Sequence, residues 1–500
     1  MTVLERRMGL GELADVIGPE RVVGLPVGEV SALAYDSRMV APGTLFFAVP
    51  GVHVDGHAYA GEAVERGALA LVVEREIAGI AVPQLVVERS RNALADAADA
   101  WFNRPSEKLH VIGITGTDGK TSTAFLVVEV LRAANRRPGM IGTVALRVGD
   151  ELRPNEDRTT TPEALELHGH LAQMVAAGND TVVMEATSHG LAQARVRNAR
   201  FDVGVFTNLT SEHLEFHGSL ENYRAAKGML FEEAPVAVLN ADDPSFAYLR
   251  DRARDRVVTY GLETDADLRA TELDARGAGT SFRLRAPEWS GRVHVPLPGS
   301  FNVANALAAL AVAHAEGIGL DQAAGAIARS PGVPGRMETV DEGQPFTVVV
   351  DYAHTAASLG KVLRVLRPLA TGRLVAVFGS AGERDPSKRA PMGRVAAELA
   401  DVVVVTDEDP RLEDPGAINR QIADGAREGG ARDGESLFVI DDRPAAIAHA
   451  IGLAAPGDVI LLAGKGHEKS IIYGTQSRWW DEKEVARRAL RAAGHGGPRG

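Results

Sequence analysis

The sequence predicts a three-domain α/β protein, and three observations support this prediction. Short apolar runs alternate with helical stretches rich in Ala, Glu and Arg, a pattern typical of parallel sheets with crossover helices. The chain has 500 residues, more than the roughly 250–300 at which a single hydrophobic core stops growing. Two breaks rich in Pro, Gly and Asn interrupt the alternation. We therefore expect domains at 1–107, 108–332 and 333–500.

The first domain is predicted to be a small α/β unit. Its expected strands are apolar runs between helical stretches, at 44–49, 69–73 and 83–88. The pattern stops at the Asn-Arg-Pro-Ser stretch, 103–106, which supplies the first boundary.

The second and third domains are predicted to be parallel sheets with crossover helices. The second has expected strands at 109–115, 181–186, 201–209 and 235–240. The Pro-Gly-Val-Pro-Gly stretch at 331–335 separates it from the third, whose expected strands are 346–352, 374–380, 401–406 and 458–464. The Gly-rich tail, 494–500, is expected to fray.

The composition excludes several classes of protein. A content of 45% hydrophobic residues is ordinary for a globular enzyme, and the lack of cysteine excludes disulfides and thiolate metal sites. The net charge of −13, without a basic stripe interleaved with aromatics, argues against nucleic acid as a partner. No apolar run approaches 18 residues and the first residues do not resemble a signal peptide, so we expect a cytoplasmic protein without membrane insertion.

A glycine-rich turn between an expected strand and an expected helix predicts a site for nucleotide phosphates. Glycines allow backbone N–H groups to turn inward, Lys120 supplies positive charge, and the Thr121 hydroxyl can bind Mg²⁺. The strict phosphate-loop pattern would require glycine at Ile114, so this loop follows a shorter pattern. The alternative is a plain glycine turn. We expect ATP to contact Gly116, Thr117, Asp118, Gly119, Lys120, Thr121 and Ser122.

Two polar clusters follow other expected strands of the second domain. Ligands of open α/β sheets collect beyond the carboxyl ends of strands, so Glu185 and His213 are candidate Mg²⁺ ligands near the loop. Spacing alone leaves His213 open between a metal ligand and a capping or hydrogen-bonding role. On the residues alone, Lys227 is interpreted as a lysine on a helix surface.

These segments together resemble MurE-type Mur ligases. The match includes the G-T-x-G-K-T loop, the cluster at 185–189 and the cluster at 208–218, where Glu212 and Glu215 stand in place of the family's usual Asp. It extends over residues 30–485, with the motifs in family order. The resemblance implies an ATP- and Mg²⁺-dependent ligase of peptidoglycan precursor synthesis that works through an acyl phosphate. It also implies catalytic roles for Lys120, Lys227 and His213, with Thr121, Glu185, His213 and Lys227, as a carbamate, holding metal.

The resemblance also assigns substrate contacts. It implies an N-terminal UDP-binding α/β domain, a central domain like the P-loop ATPases and a Rossmann-like C-terminal domain. Further ATP contacts fall on Asn302, Asn305, Arg336, Asp351 and His354, while Ala356 and Ala357 replace the family's usual Pro-Asp. The implied contacts to a UDP-N-acetylmuramoyl dipeptide are Ser37, Thr160, Thr161, Ser188, Gln193 and Arg195.

The acceptor amino acid is expected to bind in the third domain. The implied contacts are Arg384, Asp409, Arg411, Gly464 and Glu468. Enzymes specific for meso-diaminopimelate carry D-N-P-R where this chain has Glu408-Asp409-Pro410-Arg411. Arg411 suits a distal carboxylate, whereas Asp409 favours an ammonium group. We expect diaminopimelate first, with L-lysine and L-ornithine remaining open.

Two other functions compete with this interpretation. Folylpolyglutamate synthetase shares the loop pattern, but it typically lacks an N-terminal domain carrying the Asp36-Ser37-Arg38 segment found here. A non-catalytic nucleotide-binding regulatory protein would explain the loop but not Glu185, His213 and Lys227 together. We therefore expect a ligase, acting as a monomer.

Overall fold

The computed structural model describes residues 6–51, 54–155, 157, 159–210, 212, 214–276 and 279–496. These residues form two compact units. The first contains residues up to 269 together with 285–289 and 304–326, and the second contains 270–284, 290–303 and 327 onward. The predicted α/β class is confirmed.

The N-terminal part of the first unit is a five-stranded sheet with helices. Its order is β2-β7-β6-β5-β4, parallel except for the β2–β7 pair, and β1 pairs separately with β3. The strands are β1 (Met8–Gly9), β2 (Arg21–Val23), β3 (Glu29–Val30), β4 (Ala32–Ala34), β5 (Thr44–Phe47), β6 (Ala68–Val73) and β7 (Gln84–Val86). The helices are α1 (Leu10–Ile17), α2 (Ala60–Glu65) and α3 (Ser90–Trp101).

A larger sheet follows in the same unit, in the order β11-β10-β9-β12-β8-β13-β14-β15. Its strands are β8 (His110–Thr115), β9 (Pro138–Ile141), β10 (Ala145–Val148), β11 (Glu151–Pro154), β12 (Thr181–Glu185), β13 (Val203–Phe206), β14 (Val236–Asn240) and β15 (Arg256–Gly261). The helices are α4 (Lys120–Ala133), α5 (Ala164–Ala176), α6 (Ser188–Ala192), α7 (Leu214–His217), α8 (Leu220–Glu233) and α9 (Phe246–Arg250).

The order of this sheet positions the candidate site. Strand β8 lies between β12 and β13 and is parallel to both. The carboxyl ends of the three strands therefore meet at one edge. There the glycine-rich loop follows β8, Thr207 follows β13, and Glu185 is the last residue of β12. The strands are buried on both faces, which is why they read as continuous apolar runs.

Three strands and two helices lie between β15 and the C-terminal part of the chain. They are β16 (Leu268–Arg276), β17 (Gly279–Ala286), β18 (Trp289–Val295), α10 (Ser300–Ala315) and α11 (Leu320–Ala328). The three strands are neighbours in that order. Burial alternates along β17 and β18, as in a sheet covered on one face.

The C-terminal sheet of the second unit has the order β19-β20-β24-β21-β22-β23 and is parallel except for the β19–β20 pair. A separate hairpin joins β25 and β26. The strands are β19 (Glu338–Val340), β20 (Thr347–Asp351), β21 (Leu374–Phe378), β22 (Val402–Val405), β23 (Leu437–Val439), β24 (Val459–Ala463), β25 (Ser470–Tyr473) and β26 (Gln476–Trp479). The helices are α12 (Ala356–Leu366), α13 (Arg389–Leu399), α14 (Pro415–Glu428), α15 (Arg443–Leu453) and α16 (Glu482–Ala492).

None of the helices in the described ranges combines the length and the apolar character needed to cross a membrane.

Candidate active site

Two glycines of the loop between β8 and α4 lie where any other residue would place its Cβ too close to a neighbouring side chain. Gly119, the N-cap of α4, has φ 84°, and a Cβ there would lie 2.3 Å from Asn305 Oδ1. Gly116 has φ 151°, and a Cβ there would lie 1.8 Å from Thr207 Oγ1. Both values of φ are in the region that favours glycine. The loop can therefore pack against its neighbours and still direct backbone N–H groups toward a phosphate.

Polar contacts hold this loop to the segment after β13. Asp118 N donates to Asn208 Oδ1 over 2.9 Å, and Thr210 N donates to Thr117 Oγ1 over 2.9 Å. Lys120 Nζ donates to the carbonyls of two loop residues, Gly116 at 2.9 Å and Thr117 at 2.8 Å. The lysine charge is thus held at the loop where phosphates would bind. Thr121 and Ser122, the next predicted contacts, are buried in the first turn of α4.

Glu185 lies at the end of β12, 1% exposed, with both carboxylate oxygens bonded. Oε1 accepts from Thr143 N at 2.8 Å, and Oε2 accepts from the hydroxyls of Thr121 and Thr143, each at 3.0 Å. The sequence analysis missed Thr143. A threonine following β9 gave no signal on its own, because its role depends on β9 being the neighbour of β12.

Lys227 is buried, so the interpretation of this residue as a surface lysine was wrong. It is 1% exposed, and its Nζ donates to Gly116 O over 2.8 Å and lies 4.4 Å from the centre of the Tyr223 ring. Burial, together with the nearby charge of Lys120, holds the pKa of the Lys227 ammonium well below its usual value. Tyr223, also missed, forms a hydrogen bond of 3.1 Å with Thr117 Oγ1.

The predicted metal ligand His213 lies outside the described residues. Glu212 and Glu215 are both exposed. Within the part of the chain that the structure describes, no group of three His, Cys, Asp or Glu side chains is arranged to hold a metal ion. A nearby histidine that the sequence analysis missed, His217, is buried and lies 3.0 Å from Ser188 Oγ through Nε2.

A cavity of about 350 Å³ joins the loop to several predicted substrate contacts. Lys120, Lys227, Thr160, Thr161, Ser188 and Arg195 are among the residues that line it. Predicted phosphate and substrate contacts therefore meet in one space. Gln193 reaches this group through Arg195, whose Nη2 donates to Gln193 Oε1 over 2.7 Å. Ser37 is buried elsewhere in the same unit and donates to Glu62 Oε2 over 3.1 Å.

The remaining predicted ATP contacts, apart from Asn305, fall in the second unit. Asp351, at the end of β20, accepts from Met337 N and Ala353 N, each at 2.8 Å, and burial raises the pKa of its carboxyl. The Arg336 guanidinium lies 4.9 Å from the ring centre of Tyr352. Burial lowers the pKa of His354. Asn302 Nδ2 donates to Pro298 O over 2.9 Å.

Two of the predicted acceptor contacts, Asp409 and Glu468, lie beside Lys465, which is fully buried. Lys465 Nζ forms ion pairs with Asp409, at 3.0 Å, and with Glu468. Gly464 precedes it at the end of β24, and a Cβ there would lie 2.8 Å from Glu408 Oε2. Arg384 is exposed on a loop whose Gly382 N donates to Asp409 O over 2.8 Å. The sequence analysis missed Lys465, whose importance depends on a partner 56 residues away.

Arg411 has φ 55°, an unusual value for a residue other than glycine. The hairpin of β25 and β26 holds it there: Arg411 N donates to Ile472 O over 3.0 Å, and Gly474 N donates to Arg411 O over 2.7 Å. The same hairpin contacts Asp409, because Ile472 N donates to its Oδ1 over 3.0 Å. Backbone strain of this kind persists when the surrounding structure enforces it, and it is common at binding sites.

Three family models match successive parts of the chain. The Mur ligase family catalytic domain matches 29–102, the Mur ligase middle domain matches 114–313, and the Mur ligase glutamate ligase domain matches 335–466.

Relatives match nearly the whole chain. A UDP-N-acetylmuramyl-tripeptide synthetase of Roseiflexus sp. (strain RS-1) is 46% identical over 94% of this chain and 96% of its own. A UDP-N-acetylmuramoyl-L-alanyl-D-glutamate–2,6-diaminopimelate ligase of Geobacillus kaustophilus is 46% identical over 93% of this chain and 96% of its own. A solved structure of a ligase with the same name superposes with a TM-score of 0.69 at 31% identity, covering 98% of this chain and 100% of that one. The chain therefore belongs to the Mur ligase family and is a ligase.

Proposed function

We propose that this chain is an ATP-dependent ligase that adds a diamino acid to UDP-N-acetylmuramoyl-L-alanyl-D-glutamate, in the cytoplasm and as a monomer. The observation that supports this most strongly is the cavity in which Lys120 and Lys227 meet Thr160, Thr161 and Arg195. A phosphate loop and an anion-binding arginine in one space suit transfer of phosphate to a carboxylate. The names of the relatives give the substrates.

The chemistry requires two steps. A carboxylate oxygen of the dipeptide attacks the γ-phosphorus of ATP, the bond from that phosphorus to the bridging oxygen breaks, and ADP leaves. The acceptor amine then attacks the acyl carbon, the bond to phosphate oxygen breaks, and phosphate leaves as the nitrogen loses a proton. Lys120 and the loop amides would neutralise charge on the transferred group, and Arg195 would orient the dipeptide.

We further propose that Mg²⁺ binds beside the loop through Thr121, Glu185, His213 and a carbamate on Lys227. Mg²⁺ prefers oxygen ligands, and the Thr121 hydroxyl lies 3.0 Å from a Glu185 oxygen, so the described members of this set suit it. When bound, the ion would stabilise negative charge on the phosphoryl oxygens. Thr143 would hold Glu185 in place, since it donates to both carboxylate oxygens.

The environment of Lys227 supports a carbamate. Only a neutral amine attacks CO₂, and burial beside Lys120 lowers the pKa of Lys227. Attack forms a nitrogen–carbon bond and releases a proton, which leaves an anionic oxygen ligand at a position lined by Lys120.

We propose that 1–107 bind the UDP part of the substrate, 108–332 bind ATP, and 333–500 bind the acceptor. The family-model boundaries at 102, 114, 313 and 335 support this division. Ser37 would contact the UDP group, with Ser188 and Gln193 contacting the dipeptide. The ATP contacts of the third part would be Arg336, Asp351 and His354.

For the acceptor, we propose meso-diaminopimelate. Arg411 would bind its distal carboxylate, with Arg384, Gly464 and Glu468 around the rest. The ion pair with Lys465 supports this choice, because it compensates the negative charge that Asp409 would otherwise present to an ammonium group.

Changing Asp409 to Asn should leave kcat/KM for diaminopimelate within about threefold of the wild type, since an amide oxygen can accept the same two hydrogen bonds. As a matched change, Arg411→Lys keeps the charge but loses the planar fork, and should lower kcat/KM for diaminopimelate by about tenfold or more. Both variants are to be compared on diaminopimelate, L-lysine and L-ornithine. If Asp409→Asn instead raised kcat/KM for diaminopimelate about tenfold, the Asp409 charge would act on the bound substrate in the wild type.

Phosphate release tests the proposed reaction as a whole. We expect release from ATP only when UDP-N-acetylmuramoyl-L-alanyl-D-glutamate and a diamino acid are both present, with an equimolar amide product seen by mass spectrometry. ATP turnover that needs neither co-substrate would contradict the proposal, as would the absence of turnover with any acceptor. Turnover with a folate and glutamate instead would favour the folylpolyglutamate synthetase alternative.

A further inference from the structure

The Glu163 carboxylate contacts two arginines from distant parts of the first unit. Arg91, on helix α3, places Nη1 3.2 Å from Oε1 and 2.9 Å from Oε2. Arg195, which follows α6 and lines the cavity, places Nη2 3.1 Å from Oε1. One carboxylate is thus shared by two guanidinium groups, only one of which borders the substrate space.

This Arg91–Glu163–Arg195 cluster is mostly shielded from water. The side chains are 18%, 21% and 15% exposed, respectively, so solvent screens their charges less than at an exposed ion pair. Glu163 is also the N-cap residue of α5, where the helix dipole favours a negative charge. The carboxylate is therefore held in place, and its attraction is divided between the two arginines.

Three groups other than substrate already engage the Arg195 guanidinium. Nη1 donates to Thr161 O over 3.0 Å, while Nη2 donates to Gln193 and lies close to Glu163. If Arg91 did not hold both oxygens of Glu163, the carboxylate could form a two-point pair with Arg195 and neutralise its charge. Such pairing would compete with an anionic ligand in the cavity.

We infer that Arg91 and Glu163 are positioning residues for the UDP-linked substrate: Arg91 holds Glu163, and this keeps Arg195 available to a carboxylate or phosphate in the cavity. Arg91 belongs to the N-terminal segment and also donates, at 3.4 Å, to Pro50 O, so a residue of that segment would position an arginine that lines the cavity. The inference rests on the proposed function, in which Arg195 binds the dipeptide substrate.

The test is a double-mutant cycle with Arg91→Gln and Glu163→Gln. Arg91→Gln should weaken calorimetric binding of UDP-N-acetylmuramoyl-L-alanyl-D-glutamate, and raise its KM, by about tenfold with kcat nearly unchanged. Glu163→Gln alone should weaken binding of the UDP-linked substrate by about threefold, because Arg195 loses a group that orients it but keeps its charge. In the double variant, binding should return to within about threefold of the wild type, because the competing carboxylate is gone.

Asp96→Asn provides the matched control. Asp96 lies on the same helix α3 and holds Arg197 at 2.7 Å and Asn198 at 2.9 Å, but has no contact with Glu163 among the described residues. This variant should leave the KM unchanged. An equal rise of KM in Asp96→Asn, a double variant worse than both single ones, or an Arg91→Gln variant that binds normally would each overturn the inference. A wild-type protein that neither binds the UDP-linked substrate nor releases phosphate would instead overturn the proposed function.

Discussion

A Lys227→Ala variant is expected to lose about 10³-fold in kcat, the scale of several kcal/mol of lost charge stabilisation at a phosphoryl group. Millimolar acetate should restore part of this activity, because removal of the side chain leaves space beside Gly116 in which a small carboxylate could replace the carbamate. Initial rates of phosphate release, with and without acetate, measure both effects.

Lys227→Met supplies the control. Methionine fills the volume of the buried lysine stem, so this variant should lose as much activity and gain nothing from acetate. Full activity of Lys227→Ala without acetate would contradict the carbamate role. Equal rescue of both variants would show that acetate acts somewhere else.

Changing Lys120 to Met should lower kcat/KM for ATP by about 10²–10³-fold, since methionine keeps the length of the side chain but removes the charge aimed at the phosphates. Phosphate-release rates over a range of ATP concentrations, with calorimetry for ATP binding, provide the measurement. The Lys120 charge also helps to lower the pKa of Lys227. Loss of that charge should raise this pKa, so the neutral amine that carbamate formation requires should appear at higher pH.

Lys108→Met is the matched control for Lys120, because Lys108 is an exposed lysine before the same strand β8. Its kinetics should equal those of the wild type. If Lys120→Met bound and turned over ATP normally, the loop would not be the phosphate site.

The sequence predicted the buried parallel strands closely. The expected strand at 181–186 is Thr181–Glu185 in the structure, and the one at 458–464 is Val459–Ala463. Strands covered on both faces must be apolar at every position, so composition alone marks them. Strands β16, β17 and β18 were not predicted. Along β17 and β18, residues exposed on one face interrupt the apolar run.

Burial of single polar side chains was harder to predict. Lys227 lies on a helix with a mixed pattern, and only the position of β8 relative to α8 places its amine against Gly116. Thr143 contacts Glu185 because β9 is the neighbour of β12. Lys465 matters because it forms an ion pair with Asp409. In each case the deciding contact joins residues far apart in sequence, which local periodicity does not encode.

The hairpin of β25 and β26 offers a way to alter the proposed acceptor pocket without replacing its residues. Its backbone holds Arg411 through Ile472 and Gly474, and Ile472 N also donates to Asp409, which the Lys465 side chain contacts as well. Side chains on the exposed strand β26 can therefore vary freely, whereas a one-residue insertion near Gly474 would shift both pocket residues at once. A change of amino-acid preference could thus arise by lengthening a surface turn, with every residue of the pocket itself retained.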